Sequence, residues 1–332
     1  MAYPGTEVTI IDQITISNHL RDLGIDNIRK EIIDGLTSGQ KQISSKFFYD
    51  DKGSKLFEKI TRLPEYYPTR TEKSILKKIA SELMKDLKYI DIVELGSGDC
   101  SKISILLKAI NQENIETINY LPVDVSQSAI QESAEELVKK FPELTINGLV
   151  ADFINQIDLI PSESKRMFCF LGSTLGNFNA EVANAFLKNL SQNMNQGDTF
   201  LLGLDLVKPT HILHDAYNDE QGVTAEFNKN ILNAVNEIIE TNLDPNNFEH
   251  YAFFNSSESR IEMHLKAKKD ISIKSPFHNS SILIKKEEYI HTENSHKFSF
   301  DQIKDIEKTT NLTIKEMYTD EKKWFTLVLF VK

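Results

Sequence analysis

The 332-residue chain reads as an α/β protein: a doubly wound, mostly parallel sheet of the nucleotide-binding type, joined to a second, α+β unit. Three observations predict this. Ile92-Val93-Glu94-Leu95-Gly96-Ser97-Gly98-Asp99 is a buried strand running into a glycine turn, with a carboxylate at the strand's end. From Thr71 to Asp205, short apolar runs alternate with helix-period segments. After Asp205 that rhythm breaks, and polar–apolar alternation suited to antiparallel strands takes over.

The elements follow in order. Up to about residue 45 the chain looks helical, with Ile16, Leu20, Leu23, Ile28, Ile32, Ile33 and Leu36 near helical spacing and Gly24 and Gly35 as breaks. Phe47 to Gly53 is aromatic and turn-rich, and a short helix around Leu56–Ile60 is expected after it. Leu63 to Pro68 contains two prolines that favour an extended path. Thr71 is placed to cap a helix carrying Ile75, Leu76, Ile79 and Leu83 on one face. A strand over 90–95, a helix near 102–110 and a strand over 119–123 come next, and Ser126 can cap a helix to about Lys140. Strands near 145–150, 166–171 and 199–204 follow, with a helix near 181–194 between the last two. A long helix over 225–241 precedes strands at 260–267, 270–273, 281–284 and 289–298. The chain closes with a helix near 300–309 and strands 314–318 and 325–331. The expected division is 66–206 plus 298–332 as one domain, and 1–65 plus 207–297 as the other.

Parallel strands joined by helices place a ligand at the carboxyl edge of the sheet. The turn after Leu95 lacks the third glycine that seats a pyrophosphate on a helix N-terminus; Cys100, Ser101 and Lys102 stand there instead. A nucleoside without phosphates fits better, and S-adenosylmethionine is such a ligand. Asp124 ends the second strand 28 residues after Gly96, where a ribose-binding carboxylate is expected; the alternative is a helix-start acid before Ser126. Asp152 and Phe153 close the third strand and suit an adenine amino group and ring, or a plain strand-end turn. Leu171 to Phe178 ends the fourth strand in a small polar loop, a place for an amine acceptor or simply a structural loop.

Composition excludes several classes. The 49 acidic and 38 basic residues give a net charge of −11, which argues against a nucleic-acid partner. Two cysteines, Cys100 and Cys169, cannot build a disulfide framework or a cysteine-rich zinc site, and they suit a reducing compartment. No signal-peptide pattern or membrane-length apolar run is apparent, so a cytoplasmic protein is expected. His211 and His214 are three apart with no third ligand nearby, so no metal is expected. A Gly-x-Ser-x-Gly nucleophile elbow is absent.

Several strings together resemble one family, the histidine-specific, S-adenosylmethionine-dependent Nα-methyltransferases that form hercynine for ergothioneine synthesis. They are Phe48-Tyr49-Asp50 with Gly53-Ser54, Ile60 through Arg70, Val93 through Gly98, and Phe170 through Thr174. Leu204 through Lys208, Gly222 through Ala225, Arg260 through Met263, and Thr292 through Ser295 continue the series. The resemblance covers about residues 45 to 298 and implies a Rossmann-like class I methyltransferase sheet with an α+β substrate domain. It implies cofactor contacts at Gly96, Lys102, Asp124, Asp152 and Phe153. For L-histidine it implies Asn177 and Tyr217 at the carboxylate, and Glu293 and Ser295 at the imidazole with Met263 lining that pocket. Tyr49 and Tyr66 would flank the amine, with Tyr49 the catalytic residue. Asn294 and His296 depart from the family pattern without removing the Glu–Ser pair. A monomer without a metal is the family-based expectation.

Those residues suit the chemistry. Methyl transfer is an in-line displacement by a nitrogen lone pair, so alignment is the main task. A phenol at Tyr49 can accept a hydrogen bond from the amine and orient that lone pair. Glu293 can accept from an imidazole N–H and attract the protonated ring, while Ser295 reads the other nitrogen. The alternatives are an N-methyltransferase of the same fold acting on another free amino acid or a tryptophan-derived amine, and a non-catalytic protein that binds S-adenosylmethionine or an amino acid.

Overall fold

A computed structural model describes residues 7–11, 13–20 and 24–332. The chain divides into two compact units, the first holding the described residues up to 20 with Arg70–Leu206 and Phe298–Lys332, the second residues 24–69 with Val207–Lys297.

In chain order, the elements are β1 (Glu7–Ile11), β2 (Ile14–Asn18), α1 (Gly24–Thr37), β3 (Lys41–Gln42), α2 (Asp51–Ile60), α3 (Tyr67–Met84), β4 (Ile90–Leu95), α4 (Ile103–Leu107), β5 (Ile118–Asp124), α5 (Gln127–Lys140), β6 (Thr145–Val150), β7 (Lys165–Phe170), α6 (Ala180–Asn193) and β8 (Thr199–Asp205). They continue with α7 (Thr210–Tyr217), α8 (Val223–Ile239), β9 (Phe248–Asn255), β10 (Arg260–Ala267), β11 (Ile271–Ile273), β12 (Ile282–Ile284), β13 (Tyr289–His296), α9 (Phe300–Thr309), β14 (Thr313–Thr319) and β15 (Phe325–Val331).

The first unit is built on one sheet of order β1-β2-β6-β5-β4-β7-β8-β15-β14. Strands β2, β6, β5, β4, β7 and β8 run parallel, and β15 and β14 return antiparallel. Strand β4 shows why both faces are covered: Ile90 and Ile92 join one apolar cluster, Val93 and Leu95 the other. Period-two alternation of apolar residues on both faces means that neither face meets water. Ile75, Leu76 and Ile79 of α3, Leu106 of α4 and Ile130 and Leu137 of α5 pack on the first face. Phe186 and Leu190 of α6 with Ile303 and Ile306 of α9 pack on the second. From β4 the chain steps one way to β5 and β6, then crosses back to β7 on the other side. That reversal opens a crevice at the carboxyl ends of β4 and β7, where doubly wound sheets bind ligands. The Rossmann-like class I arrangement is therefore present.

The second unit has a four-stranded sheet of order β3-β13-β10-β9 and a separate β11–β12 hairpin. Helix α8 buries Phe227, Ile231, Leu232 and Val235, and its Asn228 bonds the His264 carbonyl and the Thr292 hydroxyl of the larger sheet.

The structure differs from the sequence reading at four places. The segment before residue 20 forms strands, not helix, and β2 pairs with β6 of the first unit's sheet, so it does not belong with 22–69. Ile14 and Ile16 alternate into the core while Thr15 and Ser17 do not; that period of two was mistaken for half of a helical pattern. Leu23 lies outside the described residues. Helix α3 begins at Tyr67, with Pro68 in its first turn, so Thr71 is an internal helical residue and not its cap. Helix α7 and strand β9 were not expected at all.

Candidate functional site

The carboxyl ends of β4, β5, β6 and β7 collect five of the expected cofactor and acceptor positions. Gly96 and Gly98 adopt φ of +67° and +53°, a left-handed conformation open to glycine at little cost. A Cβ on Gly96 would meet only Phe153 Cε1, at 3.8 Å, and one on Gly98 nothing within 4 Å. Bare backbone thus faces open space, as close approach of a ligand requires. Between the two glycines, the Ser97 hydroxyl is buried with no hydrogen-bond partner. Buried polar atoms are rarely left unpaired, so this orphan fits a group supplied by a ligand.

Asp124 ends β5 and accepts from the Ser126 amide at 3.0 Å, while Ser126 caps α5 through the Ala129 amide. Burial raises the Asp124 carboxyl above its usual range, opposed by backbone N–H donors. Asp152 holds its own turn: Oδ1 accepts from the Ile154 amide and Oδ2 from the Asn155 side chain. Phe153 meets Phe170 and Phe186 edge-on at 5.5 and 5.9 Å, which fixes its ring beside the Gly96 turn. Asn177 ends the short 3-10 turn Thr174–Asn177 that follows β7.

Lys102 is tied down differently from the sequence expectation of a plain cofactor contact. Its Nζ lies 2.8 Å from Oε2 of Glu72, a carboxylate on α3 that is fully buried. Both Glu72 oxygens also accept from the Gly172 amide, at 2.8 and 3.0 Å. One carboxylate therefore joins α3, the turn after β4 and the loop after β7. Gly203 completes the fit, since a Cβ there would stand 2.3 Å from Glu72 Oε1. Sequence reasoning missed Glu72, because a single acid on a helix carries no local signal.

In the second unit a series of aromatic rings runs into the β13 face. Tyr49 meets Phe57 edge-on at 5.8 Å, Phe57 meets Tyr66 at 6.3 Å, and Tyr66 meets Tyr217 at 6.2 Å. Tyr217 Oη donates to Ser295 Oγ at 2.7 Å. On β13, Glu293 lies opposite Met263 and Ser295 opposite Ile261 of β10, so all four share one face. Glu293 is buried, with no side-chain hydrogen bond to a described residue. Burial pushes its carboxyl up to about 7, and the Lys297 ammonium opposes that rise. Lys297, also missed by sequence reasoning, is 1% exposed and donates to Ser295 Oγ at 2.8 Å and to Tyr217 Oη at 3.1 Å.

Asn294 and His296 point to the other face of β13. Asn294 Oδ1 lies 2.9 Å from His291 Nε2. That face also carries Glu262 and His264, and with His291 these bring three possible metal-ligand atoms within 4.8 Å of one another. Burial and the neighbouring His291 lower the His264 pKa to about 4, so both rings are neutral there at pH 7. The Arg260 guanidinium sits 2.8 Å from Glu262 Oε1, and its charge opposes a cation at that carboxylate. His211 and His214, the pair considered from sequence, are not in this group.

Known proteins resemble the chain over most of its length. A family profile described as histidine-specific methyltransferase, SAM-dependent, matches residues 28–332. The chain is 40% identical over 256 residues to the histidine N-alpha-methyltransferase of Mycobacterium tuberculosis, covering 77% of this chain and 79% of that one. It is 39% identical, over the same shares, to the protein of that name from Mycolicibacterium smegmatis. It is 27% identical over 307 residues to a 4-dimethylallyltryptophan N-methyltransferase of Claviceps purpurea, covering 85% and 87%. No helix among the described residues is long and apolar enough to cross a membrane.

Proposed function

The chain belongs to the histidine-specific, S-adenosylmethionine-dependent methyltransferase family, and from that premise we propose that it methylates the α-amino nitrogen of L-histidine. Successive transfers would give Nα,Nα,Nα-trimethylhistidine, hercynine, with S-adenosylhomocysteine as the other product. The observation that carries the histidine reading is the buried, unpaired Glu293 carboxylate two residues from the Ser295 hydroxyl. An acid and a hydroxyl on one apolar-walled strand match the two nitrogens of an imidazole, and a purely carbon ring would leave both unpaired.

The first unit is the cofactor domain in this reading. Gly96, with Ser97 beside it, would take the amino-acid portion of S-adenosylmethionine, Asp124 the ribose, and Asp152 with Phe153 the adenine. Lys102 would reach the cofactor while its charge stays balanced by Glu72. The bound cofactor supplies a methyl group on a positively charged sulfur. Asn177 and Tyr217 would hold the substrate carboxylate, and Glu293, Ser295 and Met263 the ring. Tyr49 and Tyr66 would then flank the amine. The α-amine attacks only when deprotonated; its pKa is about 8 in peptides and higher in a free amino acid, so it must lose a proton before transfer. The Tyr49 oxygen would accept one N–H and leave the lone pair aimed at the methyl. Aromatic faces beside the nitrogen would also favour the cation that builds up with each methyl. Two buried cysteines outside any disulfide suit a reducing compartment; no step calls for a metal.

The test is incubation of the protein with histidine and S-adenosylmethionine, followed by mass analysis. Mono-, di- and trimethylated histidine are expected. Methylation of another amino acid or of tryptophan-derived amines in preference to histidine would overturn the assignment. The absence of any methylated product would mark a binding protein instead.

A further inference from the structure

The face of the β10–β13 pair opposite Glu293 gathers a second set of ligand-type side chains. Strand β10 sends Glu262 and His264 there from alternate positions, and β13 supplies His291 opposite His264. A register shift at Met263–His264 skips Thr292. Without it His291, two residues before Glu293, would share that residue's face; the bulge re-aims it to the other side. One Glu262 oxygen and one nitrogen from each ring lie within 4.8 Å of one another. Glu262 Oε1 takes the donors, from Arg260 Nε and the Asn255 amide at 2.9 Å each and from Arg260 Nη2 at 2.8 Å. Oε2 is left facing His264 Nε2 at 3.6 Å, beyond hydrogen-bond reach. The other nitrogen of His264, Nδ1, is buried without a partner. His264 is 8% exposed, and so covered an imidazole with neither nitrogen bonded to a described residue is an exception among buried polar groups. His291 Nε2 lies 2.9 Å from Asn294 Oδ1. An amide oxygen only accepts, so the neutral His291 ring carries its proton there and keeps a lone pair on its second nitrogen.

We propose that Glu262, His264 and His291 form a binding site for one divalent transition cation of the zinc type. Two imidazoles and a carboxylate are the donor set of a three-ligand zinc site, with water completing the coordination. Magnesium and calcium prefer oxygen ligands and suit it less. The surrounding bonds play the supporting part that metal sites need: Asn294 orients the His291 ring, and Asn255 and Arg260 hold the carboxylate by the oxygen that the cation does not use. The Arg260 charge lowers affinity, but it occupies Oε1 and leaves Oε2 open. His211 and His214 take no part. The cation would tie β10 to β13 on the face away from Glu293 and Met263, so its role is structural and the proposal stands apart from the histidine reading.

The test is equilibrium dialysis of the full chain, carrying no affinity tag, against zinc chloride. Free histidine is left out because it chelates zinc, and bound metal is counted by elemental analysis. One equivalent should bind, with a Kd of about 10 μM or tighter. His264→Ala and His291→Gln should each weaken binding by at least about tenfold. The ring of His291 is the less buried, so His291→Gln decides the matter should His264→Ala fail to fold. Arg260→Gln removes the opposing charge while Asn255 still holds Oε1, and it should tighten binding by about tenfold. Zinc should also raise the melting temperature of the wild type and leave that of the folded histidine variants unmoved. Binding of less than one equivalent, or equal binding by the wild type and the folded histidine variants, would mark an adventitious ion only and overturn the proposal. An affinity not raised in folded Arg260→Gln would place the cation away from Glu262 and overturn it as well.

Discussion

The turn after β4 and the inward face of β13 prepare for ligands by opposite means. At the turn the presented surface is backbone: two glycines in the left-handed region, open space where their Cβ atoms would be, and one buried serine hydroxyl without a partner. On β13 it is side chains: a buried carboxylate with no hydrogen bond to a described residue, and a serine hydroxyl that accepts from a lysine and a tyrosine. Backbone surfaces of this kind accept one ligand shape through local stereochemistry. Side-chain surfaces set the identity of the ligand through charge and donor direction, and one substitution can change what they prefer. The turn should therefore fail through stability, and the β13 face through selectivity.

The largest effect expected is on the scaffold of the turn. Glu72→Ala removes the buried acceptor shared by Lys102 and the Gly172 amide. Breaking a buried pair by deleting one partner costs about 3–5 kcal/mol. Urea denaturation should show a loss of that size; a stability within about 0.5 kcal/mol of wild type would mean that the turn does not depend on this carboxylate.

A second test is pH-dependent stability. Burial pushes the Glu94 carboxyl up to about 8, against the Tyr120 phenol that donates to it at 2.5 Å. A carboxyl whose folded pKa is raised stabilises the fold when protonated. Its contribution is complete below the unfolded value of about 4.5 and is lost as pH rises through about 8. Glu94→Gln keeps the neutral form's shape, so it should flatten the decline in unfolding free energy between pH 5 and 8.5. The gain over wild type should reach a few kcal/mol at the alkaline end, each pH unit in that window contributing at most about 1.4 kcal/mol. Parallel profiles for the two proteins would show that Glu94 does not titrate with folding.

On the β13 face the expected change is in ligand preference. Glu293→Ala should weaken histidine binding by about 2–3 kcal/mol in calorimetry, the usual loss for a hydrogen bond to a charged group. Since burial raises the Glu293 carboxyl and it makes no side-chain hydrogen bond to a described residue, stability should not fall with it. A variant that loses stability while keeping histidine affinity would reverse the comparison between the two regions.

The same contrast explains what was legible in the sequence. The turn is local: strand, Gly96, Gly98 and the acids at 124 and 152 follow from spacing and chain order, and the parallel strands appear where alternation with helices puts them. Glu72 and Lys297 are non-local. Glu72 is 100 residues from Gly172 in sequence and Lys297 is 80 from Tyr217, and a lone charged residue carries no sign of burial. Strand β9 is hard to read because Tyr251, Phe253 and Phe254 break its alternation; the rings of Tyr251 and Phe253 lie against His264, and that of Tyr251 also against Tyr289. The strands β1 and β2 failed for want of length, since five residues do not separate a period of two from part of a helix.

A smaller effect is expected where the aromatic series ends. Tyr49→Phe keeps the ring against Phe57 and Phe227 but removes the oxygen. Turnover should slow by about tenfold, corresponding to about 1.4 kcal/mol in the barrier, with histidine affinity little changed. Equal rates for every methylation step would exclude the phenol from orienting the amine.

The smallest effect tests the faces of β13 directly. Asn294 sits between Glu293 and Ser295 in sequence, and proximity along the chain suggests that changing it should disturb the ring pocket. The strand's geometry says otherwise: adjacent side chains leave opposite faces, and the Asn294 oxygen is paired with His291 beside Glu262 and His264. Asn294→Ala should leave histidine affinity within about 0.5 kcal/mol of wild type while altering the acid titration of His291, whose pKa is lowered by burial and raised by its bond to Asn294. Losing that bond should push the His291 pKa further down. A tenfold loss of histidine affinity in this variant would mean that the two faces are coupled through the β13 backbone, and the division between a substrate face and a histidine-lined outer face would no longer hold.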